Sequence, residues 1–250
     1  MSFVTIIVLV SAGIASGAIN AVAGGGTFIT FGVLTLFGLP PITANATSSI
    51  VQFPGYVTST YAYKNEIVQI RGHALRLLLI SGIGALIGSL TLLVIDNPVF
   101  REIVPWLLLA ATVIFAAGPA IKNWFGRHGN EETKHGRTGF VLQFITAIYG
   151  GFFGAGMGIM MLATLSMTES SDYHRINALK NLISILIAVI AVAIFTVGGL
   201  ISWQHVLVMI PAVAFGGYLG VWAARRVPQA LMRFVVIAIG LILTVYYFMT

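Results

Sequence analysis

The sequence predicts an all-α integral membrane protein with two inverted-topology repeats, each a re-entrant glycine-tipped hairpin plus three transmembrane helices. Three observations predict it. Of 250 residues, 58% are hydrophobic and only 8% are charged, against about 25% charged in a soluble domain. The chain therefore lacks the polar surface to cover a water-soluble globule and must face lipid. Its apolar runs recur at the length of a membrane span, and its second half repeats the first at one fixed offset.

The apolar runs cover residues 2–22, 27–39, 43–63, 73–95, 100–121, 139–155, 159–168, 176–197, 204–223 and 229–249. Most reach the ~20 residues a helix needs to span. The run at 2–22 has no basic flank and leads straight into more apolar sequence, so it reads as mature protein rather than a signal peptide. Two runs, 27–39 and 159–168, are too short, and each follows a glycine break, at Ala23-Gly24-Gly25-Gly26 and at Gly154-Ala155-Gly156-Met157-Gly158. The longest polar stretch divides the chain into a first transmembrane repeat (1–121), a cytoplasmic linker (122–137) and a second transmembrane repeat (138–250). An offset of 132 residues pairs Gly24 with Gly156, Gly26 with Gly158 and Asn45-Ala46 with Asn177-Ala178. It also pairs His73 with His205, Gly84 with Gly216 and Gly88 with Gly220. Internal repeats of this kind mark many transporters.

The basic residues decide between parallel and inverted repeats. If every long run crosses once and the breaks lie within continuous helices, Lys64, Arg71, Arg76, Lys122, Arg127, Lys134 and Arg137 face one side. Arg101, Arg175, Lys180, Arg225, Arg226 and Arg233 then face the other, against the positive-inside tendency. If each break is instead the tip of a hairpin that returns to its own side, every basic residue except Arg101 falls on one side. Each half is then a hairpin plus three crossings, an odd number that inverts the second half. Trp106 and Trp203 then start helices at the outer interface, and Trp124 and Trp222 end them at the inner one, as an aromatic belt would.

Two glycine tips entering from opposite sides would meet near the midplane, where inverted-repeat carriers bind substrate. Gly24, Gly25 and Gly26, and Gly156, Met157 and Gly158, precede helix starts expected at Thr27 and Ile159. Helix N-termini favour anions, and glycine lets a ligand approach the backbone; tight packing alone would also use such glycines. Asn20 and Thr27 flank the first tip. Asn45, Ser48, Ser49 and Gln52 share one face of the next helix, and Asn177, Lys180, Asn181 and Ser184 share the matching face in the second half. Polar faces on membrane helices point at cavities or other helices. Lys180 is the only cation on those faces and has no acid at a helical neighbour position. A bound anion could partner it, or it could snorkel to the interface. The Gly84-x-x-x-Gly88 and Gly216-x-x-x-Gly220 pairs read as helix contacts.

Absences narrow the chemistry. There is no cysteine, which excludes disulfides and thiolate metal sites. No cofactor or metal is expected, and the net charge of +6 reflects loops that set topology rather than nucleic-acid binding. The seven acids, Glu66, Asp96, Glu102, Glu131, Glu132, Glu169 and Asp172, lie in loops or at helix ends. Proton relays use carboxylates inside spans, so movement down a gradient is expected. A membrane potential of 100 mV drives a monovalent anion outward with about 2.3 kcal/mol. The expected partners are a small anion and the lipid bilayer; self-association is left open. An intramembrane enzyme would want a catalytic cluster inside the spans, and the sequence has none. A scaffold subunit would not need repeated polar faces.

The segments Gly17-Ala18-Ile19-Asn20-Ala21-Val22-Ala23-Gly24-Gly25-Gly26-Thr27 and Gly38-Leu39-Pro40-Pro41-Ile42-Thr43-Ala44-Asn45-Ala46-Thr47 resemble the TauE/SafE family of membrane transporters. So do Gly150-Gly151-Phe152-Phe153-Gly154-Ala155-Gly156-Met157-Gly158 and Arg175-Ile176-Asn177-Ala178-Leu179-Lys180-Asn181 in the second half. The likeness covers the whole chain. It implies a multi-pass cell-membrane protein of prokaryotic type that exports sulfite, an organosulfonate or a related small anion. Met157 stands where many relatives carry another glycine. An anion channel of the same fold and a carrier of sulfur-free organic anions are the alternatives.

Overall fold

The structure, a computed structural model, describes residues 1–68, 71–128, 137–168, 172–224, 226 and 228–249. The regular elements among the described residues are all helices: α1 (Phe3–Ala23), α2 (Gly26–Leu36), α3 (Pro41–Ala62), α4 (Lys64–Val68), α5 (Arg71–Leu93), α6 (Asn97–His128), α7 (Arg137–Phe152), α8 (Met157–Thr168), α9 (Tyr173–Val197), α10 (Trp203–Ala224) and α11 (Gln229–Met249). Five are long and apolar enough to cross a membrane: α1, α5, α6, α9 and α10. The apolar part of α11 is shorter, and α3 is too polar to qualify by hydropathy. Large apolar side chains cover the outside, among them Phe3, Leu79, Ile83, Trp106, Val197 and Phe234. That inverts the surface of a soluble protein and suits a hydrocarbon solvent.

Local chemistry sets the helix ends. Ser2 caps α1 by accepting from the Thr5 N–H at 3.2 Å. Gly24 ends that helix in the left-handed region, at φ 76°, and donates its N–H to the Asn20 carbonyl, a conformation that costs glycine little. Pro41 opens α3 at the position where a missing N–H is harmless, and Asn97 accepts from the Ile42 N–H at 3.1 Å. Asp172 caps α9 through the His174 N–H at 2.9 Å.

The short helices begin one or two residues before the expected Thr27 and Ile159, at Gly26 and Met157. At the expected linker, α6 runs on to His128. Lys134, Glu131, Glu132, Glu169 and Arg225 lie outside the described residues.

Helix contacts come in reciprocal pairs. The α1 helix packs along α10, and α7 along α5. Likewise α3 packs on α10 and α9 on α5, while α2 touches α11 and α8 touches α6. Two further contacts, α3 with α9 and α6 with α11, join the halves directly. Each broken helix is thus gripped by a helix from the other half. Glycine makes the grip close. A Cβ added to Gly88 would stand 2.1 Å from the Ile148 carbonyl oxygen, and one on Gly84 2.8 Å from that of Phe144. At the repeat-related positions, a Cβ on Gly220 would stand 2.4 Å from the Ala18 oxygen and one on Gly216 2.2 Å from that of Ile14. The two glycine pairs expected to be helix contacts therefore lie against the broken helices themselves.

Candidate functional site

The two glycine breaks meet. A Cβ on Gly24 would fall 2.7 Å from the Cα of Gly158, and one on Gly158 would fall 2.6 Å from the Cα of Gly24. No side chain can stand between them. The α2 helix starts back along α1, with Gly26 against Ser16 and Asn20; the Ser16 hydroxyl donates to the Gly26 carbonyl at 2.6 Å. Thr27 ties the breaks together, its hydroxyl accepting from the Gly156 N–H at 2.9 Å.

The polar face of α3 divides into two uses. Asn45 clamps the second break: its amide donates to the Phe152 carbonyl at 2.9 Å and accepts from the Gly154 N–H at 3.2 Å. Ser49 lies beside it, its hydroxyl turned to the Asn45 carbonyl and facing Gly154. One turn on, Gln52 donates to the Ser16 hydroxyl. Its carbonyl oxygen and the Ser48 hydroxyl are buried with no hydrogen bond. Asn20 is 2% exposed; its side chain reaches the Tyr56 hydroxyl, and its Oδ1 is unpaired.

From the other half, α9 packs against α3 and contributes Asn177, Lys180, Asn181 and Ser184, all fully buried. Both amide atoms of Asn181 and the Ser184 hydroxyl make no hydrogen bond. Lys180 does not snorkel. Its exposure is 0%, and its ammonium donates to the carbonyl of Asn20 at 2.6 Å, with that of Ala21 at 3.4 Å. These carbonyls end α1, where the helix dipole is negative and favours a cation. No carboxylate among the described residues pairs with Lys180. Buried polar groups in proteins are nearly always satisfied. Here five neighbouring side chains, on α1, α3 and α9, hold unpaired atoms beside a buried cation.

Of the residues singled out from sequence, Asn20, Gly24, Gly26, Thr27, Gly156, Gly158 and Lys180 are joined by direct contacts. Ser48, Gln52, Asn181 and Ser184 line the packed pair α3 and α9. Gly25 faces Val236 and Ile159 rather than the polar groups. The Met157 side chain lies over Gly150 and joins the apolar cluster with Met161 and Leu165, so the break offers only its backbone there. Sequence reasoning missed Ser16 and Tyr56. Each sits four residues from a polar residue on its own helix, Ser16 from Asn20 and Tyr56 from Gln52, and that shared face was the available signal. His73 and His205 both stand at helix starts; the His205 ring bonds the Ser202 hydroxyl at 2.8 Å.

Comparison with known proteins meets this geometry. Residues 9–247 match the family model described as sulfite exporter TauE/SafE. A probable membrane transporter protein of Haemophilus influenzae is 27% identical over 249 residues, covering 95% of this chain and 92% of the relative. The probable membrane transporter protein ORF9 of a Sinorhizobium species is 25% identical over 86% of this chain and 80% of its own. The probable membrane transporter protein YfcA of Escherichia coli K12 is 22% identical over 92% and 84%. With a lipid-suited surface, five apolar helices of spanning length and a family match across nearly its whole length, the chain belongs to the TauE/SafE family and is a multi-pass membrane transporter of the cell membrane.

Proposed function

We propose that the protein exports a small anion, sulfite or an organosulfonate, from a site where the two glycine breaks meet α3 and α9. One observation carries the reading: a fully buried ammonium, Lys180, with no counter-carboxylate among the described residues and with unpaired amide and hydroxyl groups around it. Burying an unpaired charge is costly. The α1 carbonyls offset part of that cost, and a bound anion would offset more. Asn181, Ser48 and Ser184 supply unpaired N–H and O–H donors suited to an oxyanion, and Asn20, whose amide N–H reaches Tyr56, has a second amide hydrogen to offer. The backbone at Gly24–Gly26 and Gly156–Gly158 packs one break closely on the other and on its neighbours, which holds these groups in place. Asn45, Thr27 and Ser49 fix the second break, Gln52 completes the α3 face, and Asn177 lies buried on the α9 face.

The reading includes two inverted repeats, 1–121 and 138–250, joined by a cytoplasmic linker. The reciprocal helix contacts and the positive-inside count support it. In that arrangement α1–α2 and α7–α8 are the re-entrant hairpins, and the termini lie outside the cytoplasm.

Proteoliposome flux tests the proposal. Labelled sulfite and methanesulfonate would be followed with and without an imposed potential, for the wild type, Asn20→Ala and Lys180→Met. Saturable flux that shows counterflow, follows the potential and falls at least about tenfold in both variants, as loss of a charge-assisted hydrogen bond implies, is expected. Folded wild-type protein that moves neither anion above empty liposomes would refute the substrate assignment. Flux unchanged in Lys180→Met would refute the site.

A further inference from the structure

A cavity of about 720 Å³ lies away from the buried site, where the start of α6 meets the end of α11. Asn97, Arg101, Glu102, Trp106, Tyr247 and Phe248 line it. In the inverted arrangement this is the outer face, and Arg101 is the single basic residue there. A basic residue set against the positive-inside tendency calls for a local reason, and Arg101 sits in a cavity wall. Tyr247, 8% exposed, lines the same cavity. Its hydroxyl makes no hydrogen bond of normal geometry and lies beside that of Thr35, which donates to the carbonyls of Phe31 and Gly32. Asn97 uses its oxygen on the Ile42 N–H, which leaves its NH₂ as a donor. Glu102 opposes these groups and keeps the cavity near neutral, so an anion would be held weakly there, as release requires.

The cavity is connected to the buried site by rings. Tyr247 stacks on Phe31 at 5.5 Å and 18°. Phe31 meets Phe153 edge-on at 5.3 Å, and Phe153 meets Tyr149 at 5.9 Å. The Tyr149 hydroxyl donates to the Ala155 carbonyl at 2.7 Å, inside the second break. Phe31 and Phe153 are fully buried, so the column is closed. Phe153 belongs to the non-helical stretch of the break, where backbone torsions can carry the ring aside more readily than in a helix.

We propose that this cavity is the outer vestibule of the transport path, a second and weaker anion site closed off from the buried one by the Tyr247–Phe31–Phe153 column. The proposal rests on the transport reading for its orientation, but its binding step can be tested without flux. In Trp124→Phe/Trp203→Phe/Trp222→Phe protein, the remaining tryptophan, Trp106, reports on the cavity wall. In nanodiscs of phosphatidylcholine, iodide quenching of Trp106 should fall about threefold in Arg101→Gln and rise in Glu102→Gln, as expected of a local field. Quenching by neutral acrylamide should stay unchanged, and methanesulfonate should protect the parent protein from iodide. Equal iodide quenching in all three proteins would overturn the vestibule. So would loss of protection when phosphatidylglycerol is added, because a lipid phosphate would then be the occupant.

Flux adds a second reading. Arg101→Gln should slow exchange at low methanesulfonate by about fivefold and Glu102→Gln should speed it, with Arg101→Lys restoring most of the rate. A purely structural role would not give opposite signs. Phe31→Ala should convert saturable exchange into unsaturated leak; a folded Phe31→Ala protein with wild-type exchange would overturn the column. A wild type that moves no anion would sink the transport reading, while the quenching result would still decide whether the cavity binds anions.

Discussion

Alanine at Gly88 tests the contact that holds the second broken helix. A Cβ there would lie 2.1 Å from the Ile148 carbonyl oxygen and 2.8 Å from the Phe152 nitrogen. Carbon and carbonyl oxygen settle no closer than about 3.3 Å. The α5 and α7 axes would have to part by roughly 1 Å, which loosens dispersion contacts along the whole pair. Both obstructing atoms are main chain and cannot rotate away. Overpacking costs about 1–3 kcal/mol, and a rigid obstacle argues for the upper half of that range. Gly82, on the same helix, is the internal control. Its added Cβ would meet only the Leu186 and Ile190 side-chain ends, at 3.6 and 3.7 Å, which is ordinary contact. Gly82→Ala should be neutral or gain up to about 1 kcal/mol from helix propensity. Reversible unfolding in mixed detergent and dodecyl sulfate micelles, followed by helical circular dichroism, measures both. Gly88→Ala should lower the folded-to-unfolded ratio more than tenfold. A Gly88→Ala protein as stable as the wild type, or a Gly82→Ala protein equally weakened, would refute the backbone-on-backbone packing.

Gly220→Ala, its repeat partner, should weaken the protein comparably, since its Cβ would stand 2.4 Å from the Ala18 oxygen; a neutral result in the same assay would break the correspondence between α5–α7 and α10–α1. Asn45→Ala removes two buried hydrogen bonds to the second break and should cost about 2–5 kcal/mol, read by the same unfolding curve and accompanied by loss of flux. The chain has no cysteine, so single cysteines report sidedness cleanly. Lys64→Cys and Arg226→Cys should react with an impermeant maleimide from one face only, and Val94→Cys and Gly199→Cys from the other. Labelling of Lys64→Cys and Arg226→Cys from opposite faces would sink the inverted arrangement.

Much of the scaffold was legible because its causes are local. Hydropathy finds the long helices, and glycine runs find the breaks, since only glycine tolerates both the positive φ at Gly24 and the backbone contact with Gly158. The expected linker starts at 122, where polarity rises, and that residue lies within a helix. Polarity marks where α6 leaves the bilayer, whereas Lys122, Asn123, Trp124 and Phe125 carry nothing that stops a helix, so α6 continues to His128. The buried partnerships were not legible. Lys180 could be read as a cation without an acid, but its carbonyl partners lie 160 and 159 residues away, and no spacing rule reaches that far. Asn45 looked like a ligand group and instead serves the backbone, because a break in a helix leaves N–H and C=O groups that must be satisfied away from water.

The departures from the repeat in sequence bear on the proposed site more than the repeat itself does. The shared positions, Gly24 with Gly156, Gly88 with Gly220 and Asn45 with Asn177, shape the backbone: they turn it or let helices touch, and Asn45 clamps it. At the same offset the lining residues differ. Asn20 is matched by Phe152, Thr27 by Ile159, Ser48 by Lys180 and Gln52 by Ser184. Within its own half the first break is therefore flanked by Asn20 and Thr27 and the second by Phe152 and Ile159, so the polar groups on the second break, Asn45, Ser49 and Thr27, come from the other half. Among the described residues the one buried cation, Lys180, comes from the half opposite the first break. Two copies of one fold unit can hold two tips in register, but a symmetric lining would place equal polarity on both sides of the meeting point. A carrier that binds on one side of that point and seals with rings on the other needs the mismatch. Exchanging the two sets, by Asn20→Phe with Phe152→Asn, should leave the helix packing intact and abolish saturable exchange; a double variant that folds and transports like the wild type would refute this division between scaffold and site.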